Sequence, residues 1–131
     1  MVDRGYKNTI IKDFLSVTKE DIPDVCDMIT NPPYIAATEF AEHALNLVAD
    51  GSKVAMLLKI QFLETQKRYA LFRKFPPKVV YVFVDRIACG KNGLFEDDSS
   101  AVCYCWFVWK KGYTGDPVIR WIGDVRNKSL F

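Results

Sequence analysis

The sequence predicts an α/β fold, a mixed sheet with helices on its faces. Three observations carry this. Short apolar runs of strand length alternate with stretches of helical periodicity. The runs at 78–84 and 101–109 are joined by a polar loop with no helical pattern, which makes them an antiparallel hairpin. Hydrophobic residues make up 50% and aromatics 14% of 131 residues, enough for one core without disulfides or metals.

Taken in order, Thr9-Ile10-Ile11-Lys12 reads as a short strand ending at Asp13, and 24–30 as a second strand stopped by Asn31-Pro32-Pro33. From 36 to 49 the pattern is helical: Phe40, Ala44, Leu47 and Val48 recur at three- and four-residue steps, with Glu39, Glu42 and Asn46 between them. Asp50-Gly51 reads as the C-cap. Lys53–Lys59 is an almost unbroken apolar strand, as expected of one covered on both faces. A second helix spans 62–72, with a basic edge at Lys67, Arg68, Arg73 and Lys74. Pro76-Pro77 breaks it before the strand at 78–84. A polar loop at 88–100 leads to the last strand at 101–109, stopped by Lys110-Lys111-Gly112. The expectation is two βα units and a terminal antiparallel hairpin, one domain over 1–131.

Composition narrows the function classes. The net charge is +2, so no strong basic field draws nucleic acid from a distance. No apolar run approaches the ~20 residues of a membrane span, and the N-terminus has no apolar signal core, so a cytoplasmic protein is expected. The four cysteines (Cys26, Cys89, Cys103, Cys105) follow no framework spacing and are expected to be reduced. Cys103 and Cys105 share a strand face as core residues, since two thiols are too few for a structural zinc site. His43, the only histidine, has no ligand-spaced partner and reads as structural or exposed.

One motif carries chemistry. Asn31-Pro32-Pro33-Tyr34 follows directly on a strand. Two prolines fix φ and remove two backbone donors, forcing a rigid extended turn. The carboxyl ends of strands are where open α/β sheets bind ligands. The Asn31 side-chain oxygen and the Pro32 carbonyl are two fixed acceptors, a pairing that suits an amino group, and Tyr34 offers a flat face. The plain alternative is a Pro-Pro turn with an Asn cap and a packed Tyr.

The tetrapeptide resembles the (Asp/Asn)-Pro-Pro-(Tyr/Phe) signature of S-adenosylmethionine-dependent amino-methyltransferases, and in particular the DNA adenine-N6 methyltransferases of phage and prophage type. The segments at 54–63, 80–83 and 104–110 look like the three strands that follow the signature in that family. Ile11-Lys12-Asp13-Phe14-Leu15 looks like its preceding acidic strand end. The resemblance implies a Rossmann-like class I methyltransferase fold, S-adenosyl-L-methionine as cofactor and DNA as partner. It implies that a flipped adenine presents its N6 amine to Asn31 and Pro32, with Pro33 holding the turn and Tyr34 stacking on the base. Asp13 and Phe14 would lie by the cofactor adenine, and Lys59, Phe62, Lys91 and Asn92 by the substrate. No metal is implied.

The sequence departs from the family in one respect. The family's Gly-rich turn has no counterpart: no Gly-x-Gly run exists, and only about thirty residues precede Asn31. The chain resembles the C-terminal two thirds of such an enzyme. This leaves an inactive remnant, or half of a split enzyme acting as an assembly module, as one alternative, and a protein-glutamine N-methyltransferase as another. A sheet cut open on that side favours a homo-oligomer or a companion chain that supplies the other half-site. Lys67, Arg68, Arg73, Lys74, Lys110 and Lys111 are candidate phosphate contacts, with a solvated helix face as the plain reading. The tail at 127–131 looks a little like a sliding-clamp docking peptide, with a frayed terminus as its plain reading.

Overall fold

The computed structural model describes residues 10–85 and 102–123. Its centre is a five-stranded sheet of β1 (Met28–Thr30), β2 (Lys53–Lys59), β3 (Val79–Phe83), β4 (Tyr104–Lys110) and β5 (Val118–Ile122), in the order β1-β2-β4-β3-β5. β1 runs parallel to β2 and β3 parallel to β5, while β4 is antiparallel to both β2 and β3. The last of the long strands is therefore inserted between β2 and β3 and alone runs against the rest. Helix α1 (Ala37–Leu47) crosses from β1 to β2, and α2 (Gln66–Lys74) lies between β2 and β3.

Alternation along the strands decides where the core sits. Val54, Met56 and Leu58 of β2 pair with Trp109, Phe107 and Cys105 of β4, and all six are buried. Against that face pack Ala37, Ala41, Ala44, Leu45 and Val48 from α1 and its end, and Leu71 from α2. The small alanines let α1 approach the sheet closely. Both helices lie on this face, held side by side by ion pairs from Lys67 to Glu39 and from Lys74 to Glu42. An edge-on aromatic contact of Phe62 with Phe107 (5.5 Å) and stacking of Phe107 on Trp109 (6.0 Å) continue the core along the sheet.

Several expectations are corrected. Ile10 and Ile11 form no strand; the chain there enters two short 3-10 turns, Phe14–Ser16 and Lys19–Asp21, the first capped by the Asp13 side chain. Two apolar residues with no strand to pair with among the described residues have nothing there to hold them extended. The strand read at 24–30 is three residues long, and the Asp27 side chain just before it accepts a hydrogen bond from the Lys53 backbone (2.8 Å). Helix α1 ends at Leu47 on an extended Val48, so Gly51 is not its C-cap. Its φ of +86° instead makes the turn into β2, where it donates to the Lys111 carbonyl (2.9 Å). β2 is buried on one face and half-buried on the other, and neither helix covers the second face. The helix read at 62–72 begins at Gln66, because Ile60–Leu63 is a 3-10 turn and Thr65 has φ +86°. The hairpin is not terminal: β5 follows it and pairs with β3.

The loop at 88–100 and the tail at 127–131 lie outside the described residues, as do Lys91, Asn92 and Cys89. Among the described residues, no helix is long and apolar enough to cross a membrane.

Thr65 combines φ +86° with ψ +149°, a region that β-branched residues avoid. Its hydroxyl accepts only a long bond from the Arg68 backbone (3.4 Å). Thr65→Gly removes the strain at the cost of that weak cap. The expected result is a net gain of about 1 kcal/mol, read as a melting temperature raised by about 3–5 °C.

Candidate functional site

β1 delivers its chain into Asn31-Pro32-Pro33-Tyr34, and β2, parallel to it, ends at Lys59 on the same side. The carboxyl ends of two parallel strands thus place the motif and Lys59 together. Pro32 is buried and anchors the turn, while Asn31 and Pro33 are exposed. The Pro33 carbonyl accepts from the Ala36 amide (3.0 Å), starting the 3-10 turn Tyr34–Ala36 that runs into α1. Among the described residues, neither the Asn31 side chain nor the Pro32 carbonyl has a hydrogen-bond partner. Of the two acceptors singled out from the sequence, Asn31 is exposed at the sheet's rim, and the carbonyl of the buried Pro32 keeps its lone pairs unused.

Tyr34 is 41% exposed and is not packed away in the core. Its ring has the Lys59 ammonium 4.7 Å from its centroid and the Arg68 guanidinium at 5.7 Å. Arg68 also lies over Phe62 (5.1 Å) and donates from Nη1 to the Gln61 carbonyl (2.9 Å). Phe62 is fully buried, so it offers no surface to a ligand; it holds Arg68 in place. Arg68 was visible in the sequence only as one of several basic residues on the second helix. Its meeting with Tyr34 depends on how α1 and α2 lie side by side, which local pattern does not encode.

Beside β1 runs a groove of about 570 Å³, lined by Phe14, Asp27, Met28, Ile29, Thr30, Phe40, Ala44 and Met56. Its volume is that of a small-molecule site. Phe14 stands at one wall, tilted against Phe40 (5.0 Å) and edge-on to His43 (5.2 Å). His43 donates from Nε2 to the Val17 carbonyl (2.9 Å), which ties the 3-10 segment to α1 and makes the histidine structural. The groove's lining includes Thr30, the residue before Asn31. Asp13 caps its own turn, with Oδ1 accepting from the Leu15 amide (3.4 Å), and does not line the groove. Among the described residues, β1 has β2 as its only strand neighbour, and Ile29 is 74% exposed at that edge.

The other charged and thiol candidates sort by contact. Lys67 and Lys74 are engaged with Glu39 and Glu42, and Lys111 donates to the Val48 carbonyl (2.7 Å). Hydrogen bonding from Lys67 holds the Glu39 carboxyl below the usual carboxylate range. Burial, and then the neighbouring Cys103, push the Cys105 thiol up to about 12, so it is a neutral core group. No cluster of three or more His, Cys, Asp or Glu suited to a metal occurs among the described residues.

No protein-family model matches the chain, and no curated protein matches it in sequence. Solved structures do. A chain from a structure of a type I R-M system, described in terms of its complex assembly and conformational transition, is 15% identical. It aligns over 83% of this chain and 26% of its own length, with a TM-score of 0.50. A chain of the M1.HpyAVI–SAM complex is 14% identical over 74% of this chain and 56% of that one, with a TM-score of 0.37. The first likeness is one of fold. The chain spans about a quarter of the length of the first neighbour and just over half of the second.

Proposed function

We propose that this chain carries the amine-binding half of an S-adenosylmethionine-dependent DNA methyltransferase with a Rossmann-like class I fold, acting on the N6 amine of adenine. The observation that carries the reading is the rigid turn after β1, where the Asn31 and Pro32 acceptors have no partner among the described residues, next to a groove whose lining includes Thr30. The fold of the type I R-M system chain is consistent with it.

The groove fits part of the implied cofactor. Phe14, Phe40 and Met28 form an apolar wall suited to an adenine ring, while nothing Gly-rich among the described residues would receive the methionine carboxylate. Phe14 would hold the cofactor adenine, while Asp13, turned to cap its own 3-10 turn, would not reach it. When bound, the cofactor supplies an electrophilic methyl on a sulfonium sulfur. The chain's own groups position the acceptor. The Asn31 side-chain oxygen and the Pro32 carbonyl accept the two N–H bonds of the amine, which fixes the nitrogen lone pair out of the base plane. As positive charge grows on that nitrogen, both bonds strengthen. Tyr34 stacks on the base and Pro33 keeps the turn from relaxing.

A second reading has its own support. The edge of β1 that is unpaired among the described residues, with Ile29 exposed, suits a companion chain or second copy that extends the sheet and brings a site for the rest of the cofactor. In that case the chain alone is an assembly module. Single-turnover transfer of labelled methyl to duplex DNA separates the two. The enzyme reading expects label recovered as N6-methyladenine, and none in duplexes lacking adenine. No label in any DNA at equimolar protein overturns activity of the chain alone and favours the assembly module.

A further inference from the structure

We infer that Lys59 and Arg68 form a clamp for the DNA phosphodiester beside the target base, built around Tyr34. This rests on the reading of Tyr34 as the stacking residue of a nucleic-acid site. Three observations carry it. First, both cations lie over one exposed tyrosine ring, at 4.7 and 5.7 Å, so a base that stacks on that ring displaces them from its face and leaves two positive charges beside the nucleotide. An aromatic platform flanked by cations is the arrangement that holds a nucleotide by its π-face and its backbone together. Second, neither Lys59 nor Arg68 is in an ion pair among the described residues, whereas Lys67 and Lys74 on the same helix are consumed by Glu39 and Glu42. Third, Arg68 is pre-positioned. Its Nη1 donates to the Gln61 carbonyl and its plane lies over the buried Phe62, so little side-chain entropy remains to be lost when a phosphate is gripped.

The clamp is independent of base sequence, since phosphate contacts position the duplex and carry no base readout. Its signature is salt dependence. The test is fluorescence anisotropy of a labelled duplex with the full chain, titrated from about 50 to 200 mM salt. Lys59→Gln and Arg68→Gln are each expected to reduce the slope of log affinity against log salt by about 0.9. Arg68→Lys, which keeps the charge and loses the Gln61 bond, keeps the slope. Lys67→Gln, whose charge faces Glu39, leaves it unchanged. Unfolding by Arg68→Gln would show in its thermal melt, and Lys59→Gln with Arg68→Lys then carry the comparison. Unaltered slopes in Lys59→Gln and Arg68→Gln, with the wild-type chain binding duplex, overturn the clamp and leave the methyl-transfer reading standing. A wild-type chain that binds no duplex at the lowest salt overturns both.

Discussion

Asn31→Ala is expected to lower methyl transfer to DNA by about 10²–10³-fold while leaving the melting temperature within about a degree or two of wild type. The two halves of this expectation have separate causes. Asn31 is exposed and its side chain has no hydrogen-bond partner among the described residues, so the fold loses nothing when it is truncated. The reaction loses one of two acceptors that fix the amine, and that acceptor matters most as the nitrogen becomes positive. Asn31→Asp, which keeps an oxygen at the same position, is expected to retain most of the activity. A purely structural Asn cap predicts the opposite pattern: a loss of stability in Asn31→Ala and no distinction in chemistry. Single-turnover rates and thermal melts on the same preparations distinguish the two.

Trp109→Ala is expected to cost about 3–5 kcal/mol, a large part of the 5–15 kcal/mol that holds a domain together. Trp109 is 1% exposed on β4, the central strand of the sheet. It stacks on Phe107 and donates from Nε1 to the Phe75 carbonyl (3.0 Å), at the point where α2 ends. Its removal opens a cavity between sheet and helix and orphans that carbonyl. Trp109→Phe keeps most of the apolar bulk and loses the bond, with an expected cost of about 1–3 kcal/mol. Urea unfolding of the two variants apportions packing and hydrogen bonding. Equal stability of Trp109→Phe and wild type would mean that the Phe75 bond contributes nothing.

Elements with a strong period of their own were legible in the sequence. β2 occupies Lys53–Lys59 as read, because five consecutive apolar residues between two lysines mark a strand's length, and in the fold Val54, Met56 and Leu58 take the buried face. Helix α1 is legible from its apolar stripe. Errors gathered where tertiary contacts or backbone strain decide. Ile10 and Ile11 are apolar but have no strand beside them among the described residues, and α2 starts late because of Thr65, whose positive φ no residue type announces. β5 had a local signal, Val118-Ile119-Arg120-Trp121-Ile122 after Gly115-Asp116-Pro117, that was hidden by reading Lys110-Lys111-Gly112 as the end of the sheet. The candidate motif at Asn31 stands out in the sequence because its four residues are consecutive. The contacts of Lys59 and Arg68 with Tyr34 do not, since the three residues come from three elements and meet only in the fold.

The most direct test of the central claim, a cofactor groove leading to an amine-binding turn, is a titration of isotope-labelled chain with S-adenosylmethionine followed by amide NMR. The account predicts saturable shifts, in the micromolar range, at Ile29, Thr30, Asn31, Phe40 and Ala44, weakened by Phe14→Ala. Shifts confined to the far edge of the sheet at Val118–Ile122, or none at millimolar cofactor, would contradict it.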